Sequence, residues 1–200
     1  MELVLATRNV HKILELRQML KGLGPFDIYT LRDFPDYIPP EEVGLTFEEN
    51  ACLKALHAAK ALNKYVLADD SGLIVPALNG DPGVFSARYA GENATDKDNR
   101  AKLKTALSNL NNDERSGYFE CALALADPSG IQKCVRGTCE GYLILEERGS
   151  QGFGYDPLFV KWDYGKTLAE LEPDVKNRIS HRRKALDKLL PALETLLCTT

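Results

Sequence analysis

Short continuous apolar runs recur along this chain, separated by longer stretches whose apolar residues fall on one helical face, the signature of an α/β protein. Residues 3–6 read as a buried strand, and Ile13, Leu16 and Leu20 mark a helix that Gly22 and Gly24-Pro25 end. Residues 28–40, with Tyr29, Leu31, Phe34 and several prolines, read as a second strand and an irregular connection without chemistry. A long helix follows over 47–63; Thr46 and Glu49 have the spacing of a capping box, and Ala51, Ala55, Ala58, Ala59 and Leu62 give it a close-packing face. Apolar runs at 66–68 and 73–75 then flank Asp69-Asp70 and an expected turn at Ser71-Gly72. A second box, Thr95 with Asp98, opens a helix carrying Leu103, Leu107 and Leu110, which residues 111–113 end. Segments 118–126, 131–139 and 141–146 read as three strands extending the sheet in antiparallel fashion, with a turn at 127–130. A short helix is expected over 167–171. Ser180 caps a final helix with a leucine-rich stripe from Ala185 to Leu197, in which Pro191 is expected to form a kink or start a new turn.

Composition changes this picture little. At 200 residues, 44% hydrophobic and 27% charged, without repeats, the default is one compact domain over 1–200. A net charge of −4 argues against a surface that coats nucleic acid and permits a local basic pocket. The start, with an acid at position 2 and only a short apolar run, reads as neither a signal peptide nor a membrane span, so a cytoplasmic protein is expected. The 5 cysteines, Cys52, Cys121, Cys134, Cys139 and Cys198, lack any CxxC spacing and read as reduced, structural thiols.

Candidate chemistry gathers at a few places. Asp69 and Asp70 arrive at an expected strand end, where paired carboxylates hold a hard cation or accept a proton from water; an Asx-type turn has the same letters. Thr7, Asn9 and Lys12 surround a strand-to-helix junction suited to an anion, against the alternative that Asn9 only caps the helix and Lys12 is solvated. Lys54 is functional if its helix face looks onto the site. Arg88 is either a structural ion pair or a subunit contact. Residues 149–157, GSQGFGYDP, let backbone approach a ligand while Phe153 or Tyr155 offers a ring face. Basic residues at 181–183 sit at a helix N-terminus, against the dipole, and call for an anionic or acceptor-rich partner or for an ion pair with Glu170 or Glu172. Gly165-Lys166-Thr167 is no P-loop, because Val160 stands where that motif needs glycine.

The order ATRNVHK, GLTFEENACLKA, LADDSGLIV with GDPGVFSARYAG, GFGYDPLF and SHRRKAL resembles the inosine triphosphate pyrophosphatase family across nearly the whole chain. The resemblance implies hydrolysis of deaminated purine nucleoside triphosphates (ITP, dITP, XTP) to monophosphate and pyrophosphate. It also implies a mixed central sheet with flanking helices, in two lobes around a nucleotide-binding cleft, and a homodimer. Position by position it implies that Thr7, Arg8, Asn9 and Lys12 hold the triphosphate, that Lys54 and Ser71 touch substrate, and that Asp70 binds Mg²⁺ and accepts a proton. Glu42 is the implied second metal ligand, with Glu41 as the alternative. Phe153, Gly154, Tyr155 and Asp156 would frame the base, and Lys176, His181 and Arg182 would complete its pocket. Arg8 departs from the glycine usual in the family. Neither a nucleic-acid polymer nor a membrane is an expected partner; the alternatives weighed are a pyrophosphatase for another modified or pyrimidine triphosphate, and a nucleotide-sensing module without turnover.

Overall fold

The computed structural model describes residues 1–198, so the side chain of Cys198, counted above among the thiols, lies outside the described set together with the last two residues. Strands β1 (Glu2–Leu5), β2 (Asp27–Thr30), β3 (Tyr65–Ile74), β4 (Ser116–Asp127), β5 (Gly130–Leu143), β6 (Phe159–Lys161) and β7 (Lys166–Thr167) form one sheet in the order β2-β1-β3-β4-β5-β6-β7. β1 pairs parallel with β2 and β3, whereas β6 pairs antiparallel with β5 and β7, so the sheet is mixed as expected. Helices α1 (Val10–Leu20), α2 (Phe47–Leu62), α3 (Asp96–Ser108), α4 (Pro173–Ile179) and α5 (His181–Cys198) accompany it. No described helix is long and apolar enough to cross a membrane.

The chain divides into two compact units. The first comprises Met1–Asp70, Cys121–Gly137 and the chain from Arg182 onward; its core joins Leu3 and Leu5 of β1 and Leu67 of β3 to the apolar faces of α1 and α5. The second comprises Ser71–Glu120 and Thr138–His181, with a core of Leu73, Leu103, Leu107, Phe119, Leu158 and Phe159. The described cysteines, Cys52, Cys121, Cys134 and Cys139, are thiols not joined in disulfides.

Several local expectations change for physical reasons. The turn at Ser71-Gly72 does not form: β3 runs unbroken through Asp69, Asp70, Ser71 and Gly72. The ladder with β1 ends at Leu67, but β3 continues beyond it with β4 as its neighbour in the sheet, and sheet formation overrides the turn preference of these residues. Gly72 is needed there for close approach, since a Cβ on it would sit 2.3 Å from Ser86 Oγ and 2.6 Å from the Gly83 carbonyl oxygen. Segments 131–139 and 141–146 are not separate; β5 passes through Gly141, where a Cβ would stand 2.3 Å from the Val160 carbonyl oxygen of β6. α4 was not legible in the sequence, and 167–171 holds only a 3-10 turn at Leu168–Glu170. α5 continues through Pro191 without starting anew. The box at Thr46 is half made: Thr46 Oγ1 accepts the Glu49 N–H at 3.1 Å, but the Glu49 carboxylate takes the Leu45 N–H at 2.7 Å. The box at Thr95 and Asp98 forms in full.

The close approach at Gly72 has a measurable consequence. Gly72→Ala should lower the unfolding free energy by about 1–3 kcal/mol in urea denaturation, the cost of forcing a methyl against backbone that cannot retreat.

Candidate functional site

In the first unit, β1 delivers the chain to Thr7 and the start of α1. Thr7 Oγ1 accepts the Asn9 N–H at 3.2 Å, and Asn9 Oδ1 accepts the N–H groups of His11 at 3.0 Å and Lys12 at 3.2 Å. Asn9 is therefore a helix cap. Lys12 is not solvated: its side chain is 14% exposed and its ammonium pairs with Asp69 Oδ1. Arg8 is exposed, and its φ lies outside the left-handed region, so arginine in place of glycine strains nothing.

Strand alternation separates the two aspartates. Consecutive side chains of a strand point to opposite faces, and here each acid meets its own cation. Asp69 is fully buried. Its Oδ2 accepts from Arg182 Nε at 2.8 Å and from the Cys121 thiol at 3.1 Å, and Arg182 Nη1 in turn donates to Glu15. Burial opposes ionisation of Asp69, but the charges of Arg182 and Lys12 outweigh it and hold the carboxyl well below its ordinary value. The same arrangement supplies the acidic partners that the basic N-terminus of α5 calls for, Asp69 and Glu15; Glu170 instead faces Arg148.

Asp70 belongs to a second group. Lys54 Nζ donates to Asp70 Oδ1 at 2.8 Å, to Glu42 Oε1 at 2.9 Å and to the Asp69 carbonyl oxygen at 2.8 Å. Asn50, one turn before Lys54 on α2, donates to Asp70 Oδ2 at 3.2 Å while its Oδ1 accepts the Gly44 N–H at 2.7 Å. One helix thus aims at Asp70 and steadies the loop bearing Glu42. Burial pushes the Asp70 carboxyl above its ordinary value, with Lys54 pulling the other way; burial pulls Lys54 down, but Asp70 and Glu42 more than offset it and keep the ammonium charged. Glu42, not the exposed Glu41, shares this cation with Asp70. Among the described residues no group of three or more His, Cys, Asp or Glu is arranged to hold a metal.

The second unit carries a different cluster. Asp156 Oδ2 accepts the Phe153 N–H at 2.9 Å and pairs with Lys176 at 2.5 Å, and Lys176 Nζ stands 4.7 Å from the centroid of the half-buried Phe153 ring. Of the two aromatics in the loop, Phe153 is the one that offers a face. Tyr155 is 4% exposed in the core, its hydroxyl donating to the Ser86 carbonyl at 2.8 Å. The His181 ring stacks on Phe119 at 5.0 Å. Gly154 is held by Asp96 and Arg100. Ser71 directly follows Asp70 in β3, at the start of this unit. Arg182 belongs to the first unit and is 1% exposed.

Sequence reading gave no role at the site to Glu15, Asn50, Asp96, Arg100 or Phe119. Helical spacing was the available signal for two of them: Glu15 lies three residues after Lys12, and Asn50 four before Lys54.

Asp69→Asn, which strips the charge between two cations, should destabilise the protein by about 3–5 kcal/mol at neutral pH. Because pairing depresses the native carboxyl below its unfolded value of about 3.9, the contribution is complete above that pH and fades as pH falls toward the native value. Urea titrations from pH 7 downward should show the gap between wild type and variant closing in acid; a constant gap contradicts the ion-pair account.

A family model described as the Ham1 family matches residues 3–192. The chain is 56% identical over 197 residues to a dITP/XTP pyrophosphatase of Protochlamydia amoebophila, covering 98% of this chain and 99% of that protein. It is also similar to the solved Staphylococcus aureus Ham1 protein, with TM-score 0.86 and 43% identity over 98% of this chain and 99% of that one. A HAM1 protein from Coxiella burnetii gives TM-score 0.87 at 42% identity with the same coverage. With its mixed sheet, its motifs and a match over almost its entire length, this chain belongs to the Ham1 family.

Proposed function

We propose that this protein hydrolyses deaminated purine nucleoside triphosphates, dITP, ITP and XTP, to the monophosphate and pyrophosphate; its relative from Protochlamydia amoebophila is named a dITP/XTP pyrophosphatase. The observation that carries the reading is the convergence of Asp70 and Glu42 on one cation, the Lys54 ammonium, at 2.8 and 2.9 Å. Two carboxylates that share a cation are a donor set suited to Mg²⁺, which takes few protein oxygens and fills its remaining positions with water and phosphate. Glu42 and Asp70 would hold the ion, which supplies neutralisation of phosphate charge and activation of a bound water.

The chain's own residues do the rest. Asp70 accepts the proton of the attacking water as it approaches the α-phosphorus in line. Lys54 keeps Glu42 and Asp70 together until substrate arrives and, with Lys12, balances the charge that develops on departing pyrophosphate. Thr7, Arg8 and Asn9 line the triphosphate alongside Lys12, and Ser71 contacts substrate.

Base recognition is assigned to the second cluster. Phe153 stacks on the purine, Lys176 and Asp156 present polar groups, and Gly154 and Tyr155 set the course of the loop, with His181 in the same unit; Arg182, its guanidinium oriented by Asp69 and Glu15, is a further candidate donor. Donors aimed at a 6-keto oxygen are stranded by the 6-amino group of adenine, a mismatch that discriminates by up to roughly 10⁴–10⁵. On the same reading the chain is one functional domain acting as a cytoplasmic homodimer.

Asp70→Asn should cut pyrophosphate release from ITP in Mg²⁺ by roughly 10²–10⁴. Full activity in Asp70→Asn assigns the base elsewhere.

A further inference from the structure

The glycine-rich loop is gripped by a helix that shares none of its sequence. Asp96 opens α3 and Arg100 follows one turn later, so both project from the same side of the helix. Asp96 Oδ2 accepts the Gly154 N–H at 2.7 Å, and Arg100 Nη1 donates to the Gly154 carbonyl oxygen at 2.9 Å. Both backbone polar groups of one residue are thereby taken by charged side chains, the stronger class of hydrogen bond. The helix is braced in turn: Glu147 stands 3.0 Å from Arg100 Nε and 3.1 Å from Lys104 Nζ.

Gly154 has φ +60, a conformation that costs glycine nothing and that fixes the direction in which the chain leaves Phe153. Phe153 is tied on its other side, its N–H bonded to Asp156 and its carbonyl accepting the Asp156 N–H at 3.2 Å. The ring over Lys176 therefore takes its bearing from a short segment whose free end is set by α3. Asp98, in the same first turn of α3, bonds only within its own capping box to Thr95 and does not reach the loop.

We propose that Asp96 and Arg100 are positioning residues for base selection, acting on the nucleotide base through the Gly154 backbone and the orientation of Phe153. The inference rests on the reading above that the Phe153 loop receives the base. It separates two kinds of residue on one helix: those that stabilise α3, and those through which α3 sets specificity.

Steady-state pyrophosphate release with ITP and with ATP tests it. Asp96→Ala and Arg100→Ala should each raise KM for ITP roughly tenfold, the scale of one charge-assisted hydrogen bond, and lower the ratio of kcat/KM for ITP over ATP, while kcat for ITP stays within about twofold. Asp96→Asn, which keeps an acceptor for the Gly154 N–H, should recover most of the lost affinity. Asp98→Ala should lower Tm through its lost cap but leave KM and the ratio at wild-type values. Phe153→Ala is run alongside. If it moves the ratio while Asp96→Ala and Arg100→Ala do not, or if those variants behave as Asp98→Ala does, the clamp has no part in selection and the proposal is overturned although the base site stands. If Phe153→Ala also leaves the ratio unmoved, the loop does not read the base, and both the site assignment and the proposal fail.

Discussion

A buried carboxylate must have a cation, and β3 carries two carboxylates in succession. Strand geometry sends them to opposite faces, so Asp69 and Asp70 each require a separate positive partner. Lys12 and Arg182 serve the first, and Lys54 serves the second. Much of the first unit follows from that requirement. α1 must start where Lys12 reaches Asp69, α5 must start where Arg182 reaches the same carboxylate, and α2 must turn Lys54 and Asn50 toward Asp70. The electrostatic outcomes diverge accordingly: Asp69 is held ionised as a structural anion, whereas Asp70 is pushed toward proton affinity, the property a base needs.

The loop between β1 and α1 combines a cap with this network. Asn9 spends its side chain on the N–H groups of His11 and Lys12, which fixes the first turn of α1 and hence the direction of the Lys12 side chain. Glu15, one turn further on, ties the same helix to Arg182, so acid and base alternate from Lys12 through Asp69 and Arg182 to Glu15. A change at any member leaves a neighbour buried with unbalanced charge.

The second unit builds its loop differently, from backbone freedom restrained by side chains. Glycines at 149, 152 and 154 adopt positive φ, and the room left beside Gly152 is filled by Asp156, whose Oδ2 would lie 2.1 Å from a Cβ placed there. Asp156, Tyr155, Asp96 and Arg100 then remove the freedom that glycine allows, each by a bond to the loop or from it. The result is a loop tied by side chains on both sides of Phe153.

Helices α1, α2 and α3 were legible from their apolar spacing and from Asn9, Thr46 and Thr95, because capping and periodicity are local physics read within a few residues. The strand character of β1 and β4 was legible for the same reason, and the motif order identified the family and with it the candidate residues. What sequence could not resolve was decided by partners distant in the chain. Ser71-Gly72 reads as a turn until β3 takes its place beside β4, Gly141 reads as a break until β6 lies against it, and the basic run at Arg182 calls for an acidic partner whose identity is set only when Asp69 and Glu15 close on it. Residue type and spacing determined most of the elements and named the side chains that are candidates for chemistry. Only the tertiary structure decided which charges meet, because a salt bridge depends on the separation of two side chains in space and pattern along the chain carries no such distance.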